Sequence, residues 1–331
     1  MLRSTKYQRL SYKLGLSLRS VNPVSGTVVL PTWYGNNTKG FSIGGAGGSP
    51  NVAVVTADKA TFSTETTAAQ TSANLGGERF KISSGGNETH AYYIGGCNNS
   101  DVSQTTGYKL TYSNDTTVAN TSVNFPAARS DIYMAVYTTA GYSYGGSTSA
   151  NSNDQTAAYK TPFTTDTTAA LTSANLSTGR ASGTTLSSDT AAMYLGGFRN
   201  TPGFFTAQTI ADKMPFSTET TAVNSSLTLP TARGYMNGGS INGPLNSRGY
   251  LAPSSGTNTF SKVLYSTDTT SNLAATGIQS SSGMATTSAG YTLGGGTALV
   301  TAYKMNISND TVSTVAGMNK SIGKYLAGGC S

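Results

Sequence analysis

Few residues in this 331-residue chain could do chemistry, and their spacing mostly rules chemistry out. There is one histidine, His90, and there are two cysteines, Cys97 and Cys330. A zinc or copper centre needs several nitrogen or sulfur ligands at defined spacing, and no cysteine pair here has it. The sequence therefore assigns no metal site, no cofactor and no catalytic residue. His90 reads as a strand or loop residue. Cys97 and Cys330 each follow a Gly-Gly pair, which suggests equivalent points in separate units. A disulfide needs Cα atoms within about 7 Å, so both are expected to be free thiols. Carboxylates are scarce, and six recur inside one turn motif: Glu65, Asp115, Asp166, Glu219, Asp268 and Asp310. A glycosidase needs two opposed carboxylates in a cleft, which a repeated turn does not supply. Each of these acids is expected to accept hydrogen bonds from backbone amides two residues on, beside threonines that favour extended chain. Arg79, Arg129, Arg180 and Arg233 share a second repeat position. They are expected to bond carbonyls or carboxylates of the neighbouring unit, with a polar ring facing a ligand as the other option.

The elements that would position these residues repeat about every fifty positions, a period that fixes architecture before anything else. An aromatic or apolar run closes on Gly-Gly at 41–45, 93–96, 142–146, 194–197, 291–295 and 325–329, with a degraded copy at Tyr250-Leu251-Ala252-Pro253. A strand around Lys59, Lys109, Lys160, Lys213, Lys262 or Lys304 follows, then the acidic turn. Next comes a strand ending at Leu75, Phe125, Leu176 or Leu229, four places before the arginine. Alternation such as Tyr142, Tyr144 and Met193, Leu195 puts one side of each short strand in a core between units. The glycine pair permits close approach or a bulge. The Gly-Gly element counts seven copies and the lysine element six. Tyr12-Lys13-Leu14, with Leu30-Pro31-Thr32 matching Leu229-Pro230-Thr231, supplies the seventh. The expected fold is all-β: a seven-bladed β-propeller of about four strands per blade. It spans 12–331 as a single domain, with a closing blade shared by about 12–34 and 320–331. Residues 1–11 are left as a basic N-terminal arm.

The Gly-Gly pair, the tyrosine near a turn and Leu229-Pro230-Thr231-Ala232-Arg233 together resemble the kelch repeat, from Tyr12 to Gly329. The tryptophan usual in that repeat is missing; Trp33 stands elsewhere in the unit. The resemblance implies a kelch-like propeller and leaves function open. Kelch-type copper oxidases use several imidazole ligands, which one histidine cannot supply. Sialidase-like propellers carry a Ser-x-Asp-x-Gly-x-Thr-Trp turn, and Ser63-Thr64-Glu65-Thr66-Thr67 lacks its Gly and Trp. The turn dialect, as in Phe216-Ser217-Thr218-Glu219-Thr220-Thr221, is similar to repeats in virion proteins of tailed phages, especially those of marine cyanobacteria. That resemblance implies a tail- or fibre-associated structural protein.

Composition narrows the setting. Charged residues are 11%, against roughly 25% in ordinary soluble domains. The 19 Tyr and 10 Phe spaced by the repeat argue for a packed core rather than disorder. A neutral, hydroxyl-rich surface fits an extracellular or particle-bound protein. No acid precedes Asp58, while Arg3, Lys6, Arg9, Lys13 and Arg19 crowd the start. Arg3, Lys6 and Arg9 are the candidates for a docking arm that grips an acidic neighbour. No basic groove interleaved with aromatics supports nucleic-acid binding. No run is long enough to span a bilayer, and no export signal is read. The connections after Gly-Gly differ between units while the acidic turns hardly change, so one face varies. On it, Trp33, Tyr34, Arg199, Phe204 and Phe205 are the candidate partner- or ligand-binding residues. The expected function is a non-enzymatic virion protein that binds a host-surface glycan or receptor, or neighbouring tail, fibre or capsid subunits. It would be assembled in the host cytoplasm. The alternative is a cellular or secreted, extracellular kelch-type interaction module.

Overall fold

The computed structural model describes residues 35–47, 52–149, 152–201, 204–234, 240–242, 247–253, 257, 259–275, 282–295, 299–321, 324–325 and 327–330. All belong to one compact unit, residues 31–331. Within it stand six four-stranded antiparallel sheets, the blades of a β-propeller. In order from the innermost strand outward, the first blade is Gly328–Cys330, Lys39–Ile43, Ala57–Thr61 and Thr66–Ala69. The second is Ser83–Gly86, His90–Ile94, Gly107–Thr111 and Thr116–Ala119. The third is Tyr133–Val136, Ala140–Tyr144, Ala158–Pro162 and Ala169–Ala170, and the fourth Thr184–Ser187, Ala191–Leu195, Ala211–Pro215 and Ala222–Val223. The fifth is Ser240–Asn242, Arg248–Leu251, Thr259–Leu264 and Thr269–Ala275, and the sixth Ser282–Ala285, Ala289–Gly295, Leu299–Asn306 and Thr311–Thr314.

The seven-blade count is thus corrected to six. The misreading came from Tyr325-Leu326-Ala327-Gly328-Gly329, which looks like another strand closing on Gly-Gly. In the structure Gly328 and Gly329 lie inside an innermost strand, opposite Ile43 and Ser42, as Ser83 and Ser84 lie opposite Ile94 and Tyr93. The true Gly-Gly elements are corners. Gly95 and Gly96 have φ of 73° and 84°, a region that favours glycine. A Cβ on Gly95 would stand 2.6 Å from the Arg129 carbonyl oxygen, and one on Gly96 2.7 Å from that of Phe80. The proposed partners of the C-terminal strand, residues 12–34, lie outside the described residues.

Each second strand is buried on both sides, not one. Ser143 and Tyr194 are as buried as Tyr142 and Met193, because the third and fourth blades each have a neighbouring blade on both sides. The strand expected before each arginine is a short outermost strand followed by a 3-10 turn: Thr71–Ala73, Thr121–Val123, Thr172–Ala174 or Ser225–Leu227. In the first three copies an asparagine ends that turn. Asn74, Asn124 and Asn175 accept from the backbone N–H of Ala57, Gly107 and Ala158 at 2.8–3.0 Å, pinning the turn to its own third strand. Among the described residues no helix is long and apolar enough to cross a membrane.

Candidate functional site

Because neighbouring strands in a blade are antiparallel, its connections sort to two ends. The first-to-second and third-to-fourth connections emerge at one end. The second-to-third connection and the link to the next blade emerge at the other. The two ends are built on different principles.

The first end carries a belt of charge pairs that repeats without exception. The third-strand lysine of each blade pairs with the turn acid of the next: Lys59 with Asp115, Lys109 with Asp166, Lys160 with Glu219, Lys213 with Asp268, Lys262 with Asp310. Lys304 of the sixth blade pairs with Glu65 of the first. The acids reach backward because each sits at the turn with φ between 50° and 58°. The backbone-amide role expected of them falls to the residue before: Asn114 accepts from the Thr116 N–H at 3.3 Å, Asn309 from that of Thr311 at 3.2 Å.

Every acid also receives a second donor. Opposite the lysine on the second strand stands a tyrosine in four blades. Tyr92, Tyr142, Tyr250 and Tyr291 donate to Asp166, Glu219, Asp310 and Glu65 at 2.5–3.0 Å. Where Phe41 takes that place, Lys39 serves Asp115. Where Met193 takes it, Asn224 serves Asp268 at 2.9 Å. Burial alone would raise the carboxyl pKa values of Asp115, Asp166, Glu219 and Asp310, but the lysine and its companion donor outweigh it and lower all four. At Glu65 the Lys304 hydrogen bond is the largest influence, and the direction is the same. The belt tyrosines stack on the aromatic residue beside the next blade's turn, with centroids 5.3 Å apart for Tyr92 and Phe163 and for Tyr291 and Phe62. His90 belongs to this end. Burial lowers its pKa, and its Nδ1 lies 2.8 Å from the Thr89 hydroxyl.

At the other end the repeat arginines hold the backbone. The second glycine of each corner donates to an arginine carbonyl: Gly45 to Arg79, Gly96 to Arg129, Gly146 to Arg180 and Gly197 to Arg233, at 2.8–3.0 Å. Their side chains differ. Arg180 enters the fourth blade, donates to Gly196 and Ile210 carbonyls, and forms a fully buried ion pair with Asp212. Arg233 is equally buried, but the residue matching Asp212 is Ser261. Its guanidinium has the Thr259 carbonyl and the oxygens of Thr259, Ser261 and Asn272, and burial pushes its pKa down to about 10. Arg79 and Arg129 donate to the carbonyls of Glu78 and Ala128 just before them, so the expected reach into the next blade holds for Arg180 and Arg233. A polar ring offered to a ligand is not what forms: Arg129, Arg180 and Arg233 are buried.

Nearer the axis, Lys81, Asp131 and Ser182 each stand two residues before an innermost strand, with φ of 58°, 54° and 54°. Such backbone costs energy in residues other than glycine. It is held by Asp131 N–H to Lys81 O and Ser182 N–H to Asp131 O, both 3.1 Å. The side chains follow suit: Lys81 pairs with Asp131 at 2.9 Å, and Ser182 donates to Asp131 at 2.7 Å.

Above these residues rises a wall. The second-to-third connections are long in the first four blades, at 44–56, 95–106, 145–157 and 196–210, and short in the fifth and sixth, at 252–258 and 296–298. Three of the long ones are hairpins, built on Ala46–Gly47 with Val52–Ala53, Ser147–Ser149 with Ser152–Asp154, and Phe198–Thr201 with Phe204–Ala207. They are bonded to one another. Asn99 accepts from the Ala53 N–H, Ser103 donates to the Ser147 carbonyl at 3.4 Å, and Asp154 accepts from the Asn200 N–H. Burial raises the Asp154 pKa, partly offset by the Asn200 N–H, and nearby Asp131 adds to the rise. Exposed apolar residues mark the wall: Val52 at 43%, Val102 at 54% and Phe205 at 51%.

Of the sequence candidates, Arg199, Phe204 and Phe205 fall on the fourth-blade hairpin, in register with Thr206, Thr201 and Asn200. The period of two puts Arg199 and Phe205 on opposite faces of it. Phe205 meets Phe198 edge to face at 6.2 Å, so one ring is half covered while the other seals the space above Gly234. Trp33, Tyr34 and the arm residues Arg3, Lys6 and Arg9 lie outside the described residues. Cys97 is a buried free thiol, its pKa pushed up to about 12 chiefly by burial. Cys330 sits on an innermost strand, so the two cysteines are not equivalent as expected. Among the described residues no three His, Cys, Asp or Glu side chains cluster as metal ligands. No protein-family model matches the chain, and no curated protein matches it.

The belt triads were missed by sequence reasoning, although their signal was present. A lysine and an acid recur once per unit at fixed places, which is what complementary neighbours require.

Proposed function

We propose that this chain is a non-enzymatic virion protein of a tailed phage, a tail- or fibre-associated propeller whose walled end binds a host-surface glycan or receptor. The observation that carries this reading is the division of labour between the ends. One is a belt repeated in every blade, as structure demands; the other varies from blade to blade, where recognition is free to differ. The belt engages six carboxylates with lysines and leaves them no catalytic freedom. The kelch-like and phage-like turn dialect supports the setting. We further infer that the six blades close into a ring, with Gly328–Cys330 completing the first blade beside Lys39–Ile43.

The described chain enters the first blade from residues 35–38 at the belt end, where Asn36 donates to the Glu88 carbonyl. The basic stretch bearing Arg3, Lys6 and Arg9 is proposed, on its sequence, to grip an acidic virion neighbour, with the wall turned outward.

The test is binding of fluorescently labelled protein to susceptible cells, with and without residues 1–11. Saturable, strain-specific binding that survives the truncation is expected. Absence of binding to every susceptible strain would refute the receptor role and leave a purely structural one.

A further inference from the structure

Across five blade junctions the chain runs on into a complete following blade. From the sixth blade it crosses, over residues 315–327, only into Gly328–Cys330. The other three strands of the first blade stand at the opposite end of the described chain and are held to this strand and to the sixth blade by pairing and side-chain contacts. At the belt, Glu65 receives Lys304 and the Tyr291 hydroxyl. Phe62 stacks on Tyr291 at 5.3 Å. Thr67 donates to the Met318 carbonyl at 2.9 Å. Deeper in, the hydroxyls of Ser42 and Ser282 lie 2.8 Å apart, and at the walled end Asp58 accepts from Ser321. Among the belt pairs, this one is also the most open to water, with side chains 33% and 35% exposed.

We propose that this seam is an acid-sensitive latch: protonation of Glu65 releases the sixth blade from the first while the other junctions still hold. The inference rests on the ring closure proposed above. Glu65 faces one cation, Lys304, and one phenol, Tyr291; its neutral form keeps hydrogen bonding to both but loses the charge pair. Elsewhere the linker keeps an uncharged pair at high effective concentration. At the seam the tether is strand pairing alone: Gly328–Cys330 at three registered positions, and Lys324–Tyr325 opposite Gly47 and Ala46. Among the described residues, Asp58 and Lys320, both buried, are the other charged residues of the seam. Asp58 anchors the approach to that strand by accepting from the Ser321 N–H and hydroxyl.

A matched pair of hydroxyls makes the test selective. Ser83 and Ser143, 3.0 Å apart between the second and third blades, occupy the same strand positions as Ser282 and Ser42. In a Cys330→Ser background, S42C/S282C clamps the seam and S83C/S143C clamps an interior junction. The readout is hydrogen exchange of the full chain at neutral pH and at about pH 3.5, corrected for intrinsic rates. Acid is expected to speed exchange of Lys39–Ile43 and Ser282–Ala285 at least about tenfold before other blades respond. The seam clamp abolishes this, the interior clamp does not, and Glu65→Gln reproduces part of it at neutral pH. Uniform loss across all six blades, or equal protection by both clamps, would overturn the latch. Gly328–Cys330 amides already unprotected at neutral pH would instead overturn the closure on which it rests.

Discussion

The belt and the wall are made by the same six blades and answer to opposite rules. Along the belt one solution appears at every junction, and where a residue fails the geometry is restored by another: Lys39 where Phe41 replaces tyrosine, Asn224 where Met193 does. Along the wall no two connections are alike, yet three cross-links tie the first four together. Compensation marks a requirement of folding, because an acid buried without donors would be costly. Rigid variation on the opposite end marks a surface where shape, once chosen, must hold. Arg180 and Arg233 make the same point within one repeat position: one has a carboxylate partner, the other only neutral oxygens.

That contrast can be broken on purpose. The largest effect is expected from Asp212→Ser, which leaves Arg180 in the state of Arg233 but without the oxygens that Arg233 has gathered. Removing one member of a buried ion pair costs about 3–5 kcal/mol, which urea denaturation would read directly. The reciprocal change, Ser261→Asp, gives Arg233 the carboxylate it lacks and is expected to stabilise by about 1–2 kcal/mol. Loss of stability there would mean that Thr259 and Asn272 already satisfy the guanidinium fully.

Belt stations are partly exposed, so each contributes less. Lys160→Met is expected to cost about 0.5–1 kcal/mol, and Tyr142→Phe a similar amount. The pH dependence carries a sign. Glu65, Asp115, Asp166, Glu219 and Asp310 have pKa values lowered by folding. Their contribution is complete above the ordinary carboxylate range and drains away as pH falls through the lowered values. Asp154, whose pKa is raised, works the other way: its contribution is present below the ordinary range and lost as pH rises through the raised value. Melting followed from pH 7 downward should therefore fall steeply only on the acid side of about pH 4. The smallest change in stability, within about 0.5 kcal/mol, is expected from Phe205→Ala on the wall; a large loss would make Phe205 a structural residue.

Much of this was legible in the residues. Lysine, acidic turn and Gly-Gly each mark one unit, and the blade, its polarity and its uniform and variable ends follow from them. The blade number was not, because Gly328-Gly329 and Gly95-Gly96 read alike as letters. One pair lies inside a strand and the other turns a corner, and only pairing partners separate them. The second donors were also hidden. Tyr142 looks like any core aromatic until its hydroxyl is seen 2.7 Å from Glu219. The wall's cross-links run through Asn99, Ser103 and Asp154, polar residues in a chain full of them, with no period to single them out.

The central claim is that the belt is structure and the wall is recognition. Its most direct test is cell binding by three labelled proteins at equal folded fraction: the unaltered chain, the belt variant Lys160→Met and the wall variant Arg199→Ala/Phe205→Ala. Unchanged affinity for the belt variant, with a loss of about tenfold or more for the wall variant, is the result the account predicts. Full binding by the wall variant alongside loss in the belt variant would contradict it.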